Sequence, residues 1–201
     1  NSKAVRNRLK LVKRELENKM TQLVKNNLPI KIVSIASGSS RAIVESIDKV
    51  HFSSEPNLSI IFVDKNHEAI EYSRELANDH KYFAKFEWVH DTAGNFFRIH
   101  AVGRTFNIIE MVGLMDYFND EKAIKIFGQI YNSLEPGGVL ITANIDDNLE
   151  RPFVTNAVGW AMIYRSADDL VSLLVKAGFP ENKMKVLYEP QRIHSVVVAT
   201  K

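Results

Sequence analysis

Cysteine does not occur in this chain of 201 residues, which excludes a disulfide framework, a thiolate nucleophile and a cysteine metal site. Its absence suits a reducing compartment, so a cytoplasmic location is expected, and no metal site is. No apolar run approaches the roughly 20 residues that a membrane-spanning helix needs, and no secretory signal precedes the fold. Internal repeats and low-complexity tracts are also missing. A formal net charge of +2 is too small to imply nucleic acid as a partner. What is present is ordinary for a globular protein: 45% apolar and 25% charged residues, with enough length for one domain and a full core.

The charge is unevenly placed. Asn1 to Asn26 carries +6 and the remainder −4, and Val5, Leu9, Val12, Leu16, Met20 and Leu23 recur through it at helical spacing. Residues 1–28 therefore read as a basic amphipathic helix leading into a domain at 29–201. Its cationic face is either solvated or a surface for an anionic partner, a preceding domain or a second copy of the chain. No aromatic residues are interleaved with the charges, as a nucleic-acid surface would have them.

Ile30 to Ala36 is a short β-branched run of the kind buried on both faces of a sheet. Ser37-Gly38-Ser39-Ser40 turns the chain. Ile43, Val44, Ile47 and Val50 then follow at helical spacing. A strand, a small-residue loop and a helix N-terminus together cradle nucleotides, because the backbone can approach the ligand and the first N–H groups are free to bind it. After a break at Ser53 to Asn57, Leu58 to Val63 forms a second strand that ends in Asp64. A carboxylate there can accept both ribose hydroxyls, although Asp64 could instead cap the helix Asn66 to His80, a role that Asn66 can also fill. Gly38 and Asp64 are 26 positions apart, against about 20 in a dinucleotide fingerprint, and the Pro56-Asn57 insertion accounts for the excess.

Alternation of strand and helix continues. Lys85 to Val89 is a third strand, with Asp91 and Thr92 beyond it placed to meet an adenine amine or simply to form a turn. Phe106 to Met111 is the fourth strand. The helix capped by Asn119 or Asp120 buries Ile124, Phe127, Tyr131 and Leu134, and Glu135-Pro136-Gly137-Gly138 ends it before the fifth strand, Val139 to Ala143. Asn144 to Arg165 is the least regular stretch, and a loop of that length beyond a strand suggests a substrate lid, with Trp160 either part of it or core filling. Ser166 to Asp169 reads as a capping box and Gly178 as the end of the next helix. Lys185 to Glu189 and Ile193 to Ala199 are joined so briefly that they must be antiparallel.

The Pro-Gly-Gly turn before the fifth strand and the closing antiparallel pair resemble the class I S-adenosylmethionine-dependent methyltransferases from about Ile30 to Lys201. The segments GLMDYFNDEKA, LEPGGVLITANIDDN and W-x-x-x-YRSADDL are similar to a bacterial subgroup with a Gly-Leu-Phe-Asp-Tyr-Leu segment. This resemblance implies an α/β, Rossmann-like, doubly wound sheet of seven strands in the order 3-2-1-4-5-7-6, the last reversed, with S-adenosylmethionine as cofactor. It implies cofactor binding by Ser37, Gly38, Ser39, Asp64, Lys65, Asp91, Thr92, Glu110, Met111 and Val112. The family's three loop glycines fall at Ala36, Gly38 and Ser40, and its usual carboxylate at Ser34. Transfer to a small-molecule acceptor, through a carboxylate or hydroxyl of a lipid-like or acidic metabolite, is the implied activity.

A carboxylate acceptor needs no base; a hydroxyl acceptor could use Asp116 or Tyr117 first, or His90 or Tyr164. Asn144, Trp160, Tyr164 and Arg165 are the substrate-side candidates, Arg165 either gripping an acidic group or forming a surface ion pair. No [DN]-P-P-[YF] segment follows the fourth strand, which argues against methylation of nucleic-acid bases. Two other readings stay open: a non-catalytic binding module that uses the basic first helix, and a nicotinamide oxidoreductase, disfavoured because G-x-G-x-x-G is missing.

Overall fold

The computed structural model describes residues 2–52, 57–80 and 84–201. A 24-residue helix α1 (Ser2–Lys25) precedes β1 (Ile30–Ile35), α2 (Arg41–Ile47), β2 (Leu58–Asp64), α3 (His67–Ala77) and β3 (Lys85–His90). A short turn α4 (Ala93–Asn95) then leads to β4 (Phe106–Val112), α5 (Asp120–Ser133), β5 (Leu134–Ile145), α6 (Arg151–Asn156), α7 (Ala167–Lys176), β6 (Met184–Tyr188) and β7 (His194–Thr200). The strands form one sheet in the order β3-β2-β1-β4-β5-β7-β6. Only β7 runs against its neighbours, pairing antiparallel with both β5 and β6. Order and direction are those that the resemblance implies.

Alternation along the strands divides the core in two. Ile32, Ile60, Ile108 and Ile141 point to the face covered by Val12, Leu16 and Met20 of α1 and Ile43 and Ile47 of α2. Val33, Ile61, Ile109 and Leu140 point to the face covered by Phe127 and Ile130 of α5 and Leu170 and Leu174 of α7. Helix α1 is therefore built into the sheet's own core. Its first turns are less covered, and Val5 of the expected apolar stripe is exposed.

Several boundaries differ from the sequence reading. Helix α2 ends at Ile47, α3 gives way to a 3-10 turn at Asn78–His80, and of the break assigned to 53–57, residues 53–56 lie outside the described residues. The buried face of α5 is Ala123, Ile126, Phe127 and Ile130. Apolar residues cover a wide arc of α5, and Tyr131 is held at its margin, edge-on to Phe179 with Lys201 over its ring. Strand β5 starts at Leu134, before the Pro-Gly-Gly turn. Its register against β4 shifts between Phe106 and Ile108, so those residues form a bulge inside the strand. Part of the expected lid is ordered as α6. The capping box forms as expected, with Ser166 and Asp169 bonding reciprocally at the start of α7.

Candidate active site

The β1–α2 loop alternates in backbone sign. Ala36, Gly38 and Ser40 have φ of 54°, 52° and 59°, so all three positions where the resemblance places glycine adopt the left-handed conformation glycine favours. Alanine and serine are small enough to follow. A Cβ on Gly38 would meet nothing within 4 Å, so the loop faces open space there, with Ser39 exposed at its tip. The hydroxyls of Ser37 and Ser40 are buried without a partner, a state that a ligand with polar groups would relieve.

Asp64 closes the loop from the end of β2. Its Oδ2 accepts from the Gly38 amide and its Oδ1 from the Asn66 amide, each at 2.9 Å. Asn66 itself caps α3 by accepting from the Glu68 amide, so α3 does not depend on Asp64 for its cap. Beside it lies a cleft of about 210 Å³ lined by Ala36, Asp64, Lys65, Asp91, Thr92 and Phe118. Asp91 accepts from the Thr92 amide and the Asn95 amide group. The Asn95 hydrogen bond, followed by that of Thr92, holds its carboxyl below the usual range. Seven predicted cofactor residues thus lie around one cleft and loop: Ser37, Gly38, Ser39, Asp64, Lys65, Asp91 and Thr92.

The end of β4 supplies the other half. Glu110 is buried, and Ser34 Oγ, its register partner on β1, donates to Glu110 Oε2. Burial pushes this carboxyl up to about 7, against the opposing pull of Ser34 and Arg8. Met111 is fully buried and its carbonyl accepts from Thr142 Oγ1, while Val112 is half-buried. Asp116 is also buried, which raises its carboxyl. Its Oδ1 accepts from the Ile145 amide at 2.9 Å, and its backbone carbonyl from the Ile163 amide at 2.7 Å. Tyr117 is half-exposed, and its hydroxyl accepts from Trp160 Nε1 at 2.7 Å. Trp160 is 53% exposed, so it is not core filling.

Two of the expected substrate-side residues are turned inward. Arg165 is 5% exposed and spends its donors internally, on the carbonyls of Met115 and Phe118 and on Asp120 Oδ1. It holds the 115–120 turn and is not free to grip a substrate. Asn144 is fully buried and donates to the carbonyls of Ile145 and Ile163, so it braces the same region. His90 is also misplaced for a base: it sits at the end of β3, three strands and about 14 Å from β4. Tyr164 lies under Arg151, 4.7 Å from ring centre to guanidinium, with its hydroxyl buried and unpartnered.

Sequence reasoning missed Arg8 and His194. Arg8 projects from the first turns of α1, its Nη1 3.4 Å from His194 Nδ1 and its Nη2 3.8 Å from where a Gly113 Cβ would lie. Burial, then the Arg8 charge, pushes the His194 imidazole down to about 4, so it is neutral. The available signal was a cation flanking the apolar stripe of α1 between Val5 and Val12.

Residues 2–201 match a protein family described as "Putative methyltransferase". Among solved structures, the fold is shared with a protein from Bordetella parapertussis described as a possible exported protein, at 17% identity over 98% of this chain and 68% of that one, TM-score 0.73. It is shared with magnesium protoporphyrin IX methyltransferase from Synechocystis with bound SAH, at 9% identity over 94% and 82%, TM-score 0.67. An O-methyltransferase family protein from Burkholderia thailandensis is also similar, at 12% identity over 96% of this chain but only 57% of that one, TM-score 0.67. At these identities the likeness is one of fold. No curated protein sequence matches the chain.

Proposed function

Because the chain belongs to the methyltransferase family matched over residues 2–201, we propose that it binds S-adenosylmethionine and transfers its methyl group to a carboxylate or hydroxyl of a small-molecule acceptor. The observation that carries this reading is the left-handed Ala36, Gly38 and Ser40 loop tied to Asp64 beside an open cleft. When bound, the cofactor supplies a methyl group already activated by a sulfonium centre. The protein's part is to bind, orient and exclude water.

Asp64 has lone pairs left beyond its two amide bonds with which to accept from the ribose hydroxyls. Asp91 and Thr92 stand at the adenine end of the cleft. The orphaned Ser37 and Ser40 hydroxyls and the open face of Gly38 suit the part joining ribose to sulfur, and Glu110 to Val112 suit the methionine part. For a hydroxyl acceptor, Asp116 is the group to take the proton: Oδ1 is held by the Ile145 amide, and Oδ2 has no hydrogen bond among the described residues. Its raised carboxyl makes it a better proton acceptor than an exposed aspartate. Tyr117 and Trp160 cover the approach.

Calorimetric titration with S-adenosylmethionine and S-adenosylhomocysteine tests the reading. Binding in the micromolar range is expected, weakened by about thirtyfold in Asp64→Ala, as loss of charged hydrogen bonds to the ligand would give. A folded protein that binds neither compound would overturn it.

A further inference from the structure

We propose that Arg8, carried by α1, is the anion-recognising residue of the acceptor site, and that the acceptor presents a carboxylate to it. This rests on reading the crevice beyond β4 and β5 as the acceptor site. The guanidinium lies beside Gly113, where the chain leaves β4, and beside His194, where β7 begins against the end of β5. It therefore stands over the crevice, although it belongs to a helix that the sheet's core holds from below.

Its donors are largely unspent. A guanidinium has five N–H groups, yet among the described residues Arg8 makes one hydrogen bond, the 3.4 Å contact to His194 Nδ1. Arg165, a short distance along the same crevice, makes short bonds to three separate acceptors. No carboxylate of the described residues comes within 4.0 Å of Arg8. Holding a half-buried cation without an ion pair is costly unless a ligand offsets it. His194 accepts through Nδ1 and keeps its Nε2 buried without a partner, so the neutral ring orients Arg8 without competing with it for an anion.

The surroundings narrow the anion. Asp116 and Glu110 act electrostatically on Arg8 from beyond ion-pair distance. One cation with two acids nearby suits a monoanion better than a doubly charged phosphate. Two parallel N–H groups of a guanidinium match the two oxygens of a carboxylate. The competing view, that Arg8 only balances Glu110 and Asp116, gives no anion selectivity.

The test uses the full chain with benzoate and its uncharged counterpart benzamide, read by ligand-observed saturation-transfer NMR with and without saturating S-adenosylhomocysteine. Benzoate is expected to bind about tenfold tighter than benzamide; Arg8→Met abolishes that preference, and Arg8→Lys retains part of it. Arg8→Gln replaces Arg8→Met if the latter melts early. No binding of benzoate, equal binding of the two probes, or an undiminished preference in the neutral variants would each overturn the proposal. Titration of S-adenosylhomocysteine into the same proteins reads the cofactor site by itself. Its failure with benzoate selectivity intact removes methyl transfer and leaves the anion site.

Discussion

Glu110 and Arg165 show how far a charged residue's role depends on where its neighbours are. Glu110 holds a proton in the folded chain up to about pH 7, whereas the unfolded chain releases it near 4.5. Stability from this group is full below the lower value and is lost as pH rises through the higher one. The loss is on the order of 3 kcal/mol by pH 8. Glu110→Gln should remove that slope and be the more stable protein at pH 8, as urea unfolding between pH 5 and 8.5 would measure. Asp64 could be read from sequence because the end of a strand fixes its direction and position. Arg165 and Arg8 could not, since a sequence gives an arginine's charge and not where its N–H groups go. One is spent on the carbonyls of a turn 50 positions away in the chain, and the other hangs over a crevice made by strands far along it.

At the level of elements, strands were the most legible because β-branched runs between turn residues have few other uses. Their ends were less so. The Pro-Gly-Gly turn reads locally as a stop, but pairing of Leu134 with Phe106 draws it into β5 as a bulge. Gly138 is what allows this. A Cβ there would come 2.9 Å from the Glu135 carbonyl oxygen and 3.0 Å from that of Phe106, both backbone atoms. Gly138→Ala should cost about 1–3 kcal/mol through this overpacking, measured by denaturant midpoint. The start of α7 gives a second check. Ser166 both accepts from the Asp169 amide and has its own amide satisfied by Asp169. Ser166→Ala should cost about 1 kcal/mol and lower the melting temperature by about 2–4 °C. Helix α6 was not legible: six residues bounded by Glu150 and Ala157, with one buried side chain, carry too little periodicity to declare themselves.

For the molecule as a whole, the antiparallel pairing of β6 and β7 was legible from the short join between them, whereas the strand order came only through the family resemblance. The depth at which α1 is built in was not legible. An amphipathic stripe says that a helix covers something and is silent on what. Leu16, fully buried with Ile32 and Ile108, supplies the check: Leu16→Ala should cost about 2–5 kcal/mol. Far-ultraviolet dichroism and tryptophan fluorescence should report one shared, lowered transition, whereas a detachable helix would give two. Arg8 and Leu16 sit two turns apart on one continuous helix, so the core contacts of Leu16 help to hold that side of the crevice in place. In the proposed reading, traffic uses the side where Leu149, Phe153 and Trp160 are exposed between β5 and α7. If departure of the methylated product limits turnover, the clock is the Asp146–Tyr164 span. Rates should then slow with solvent viscosity and quicken when the Trp160–Tyr117 latch is cut.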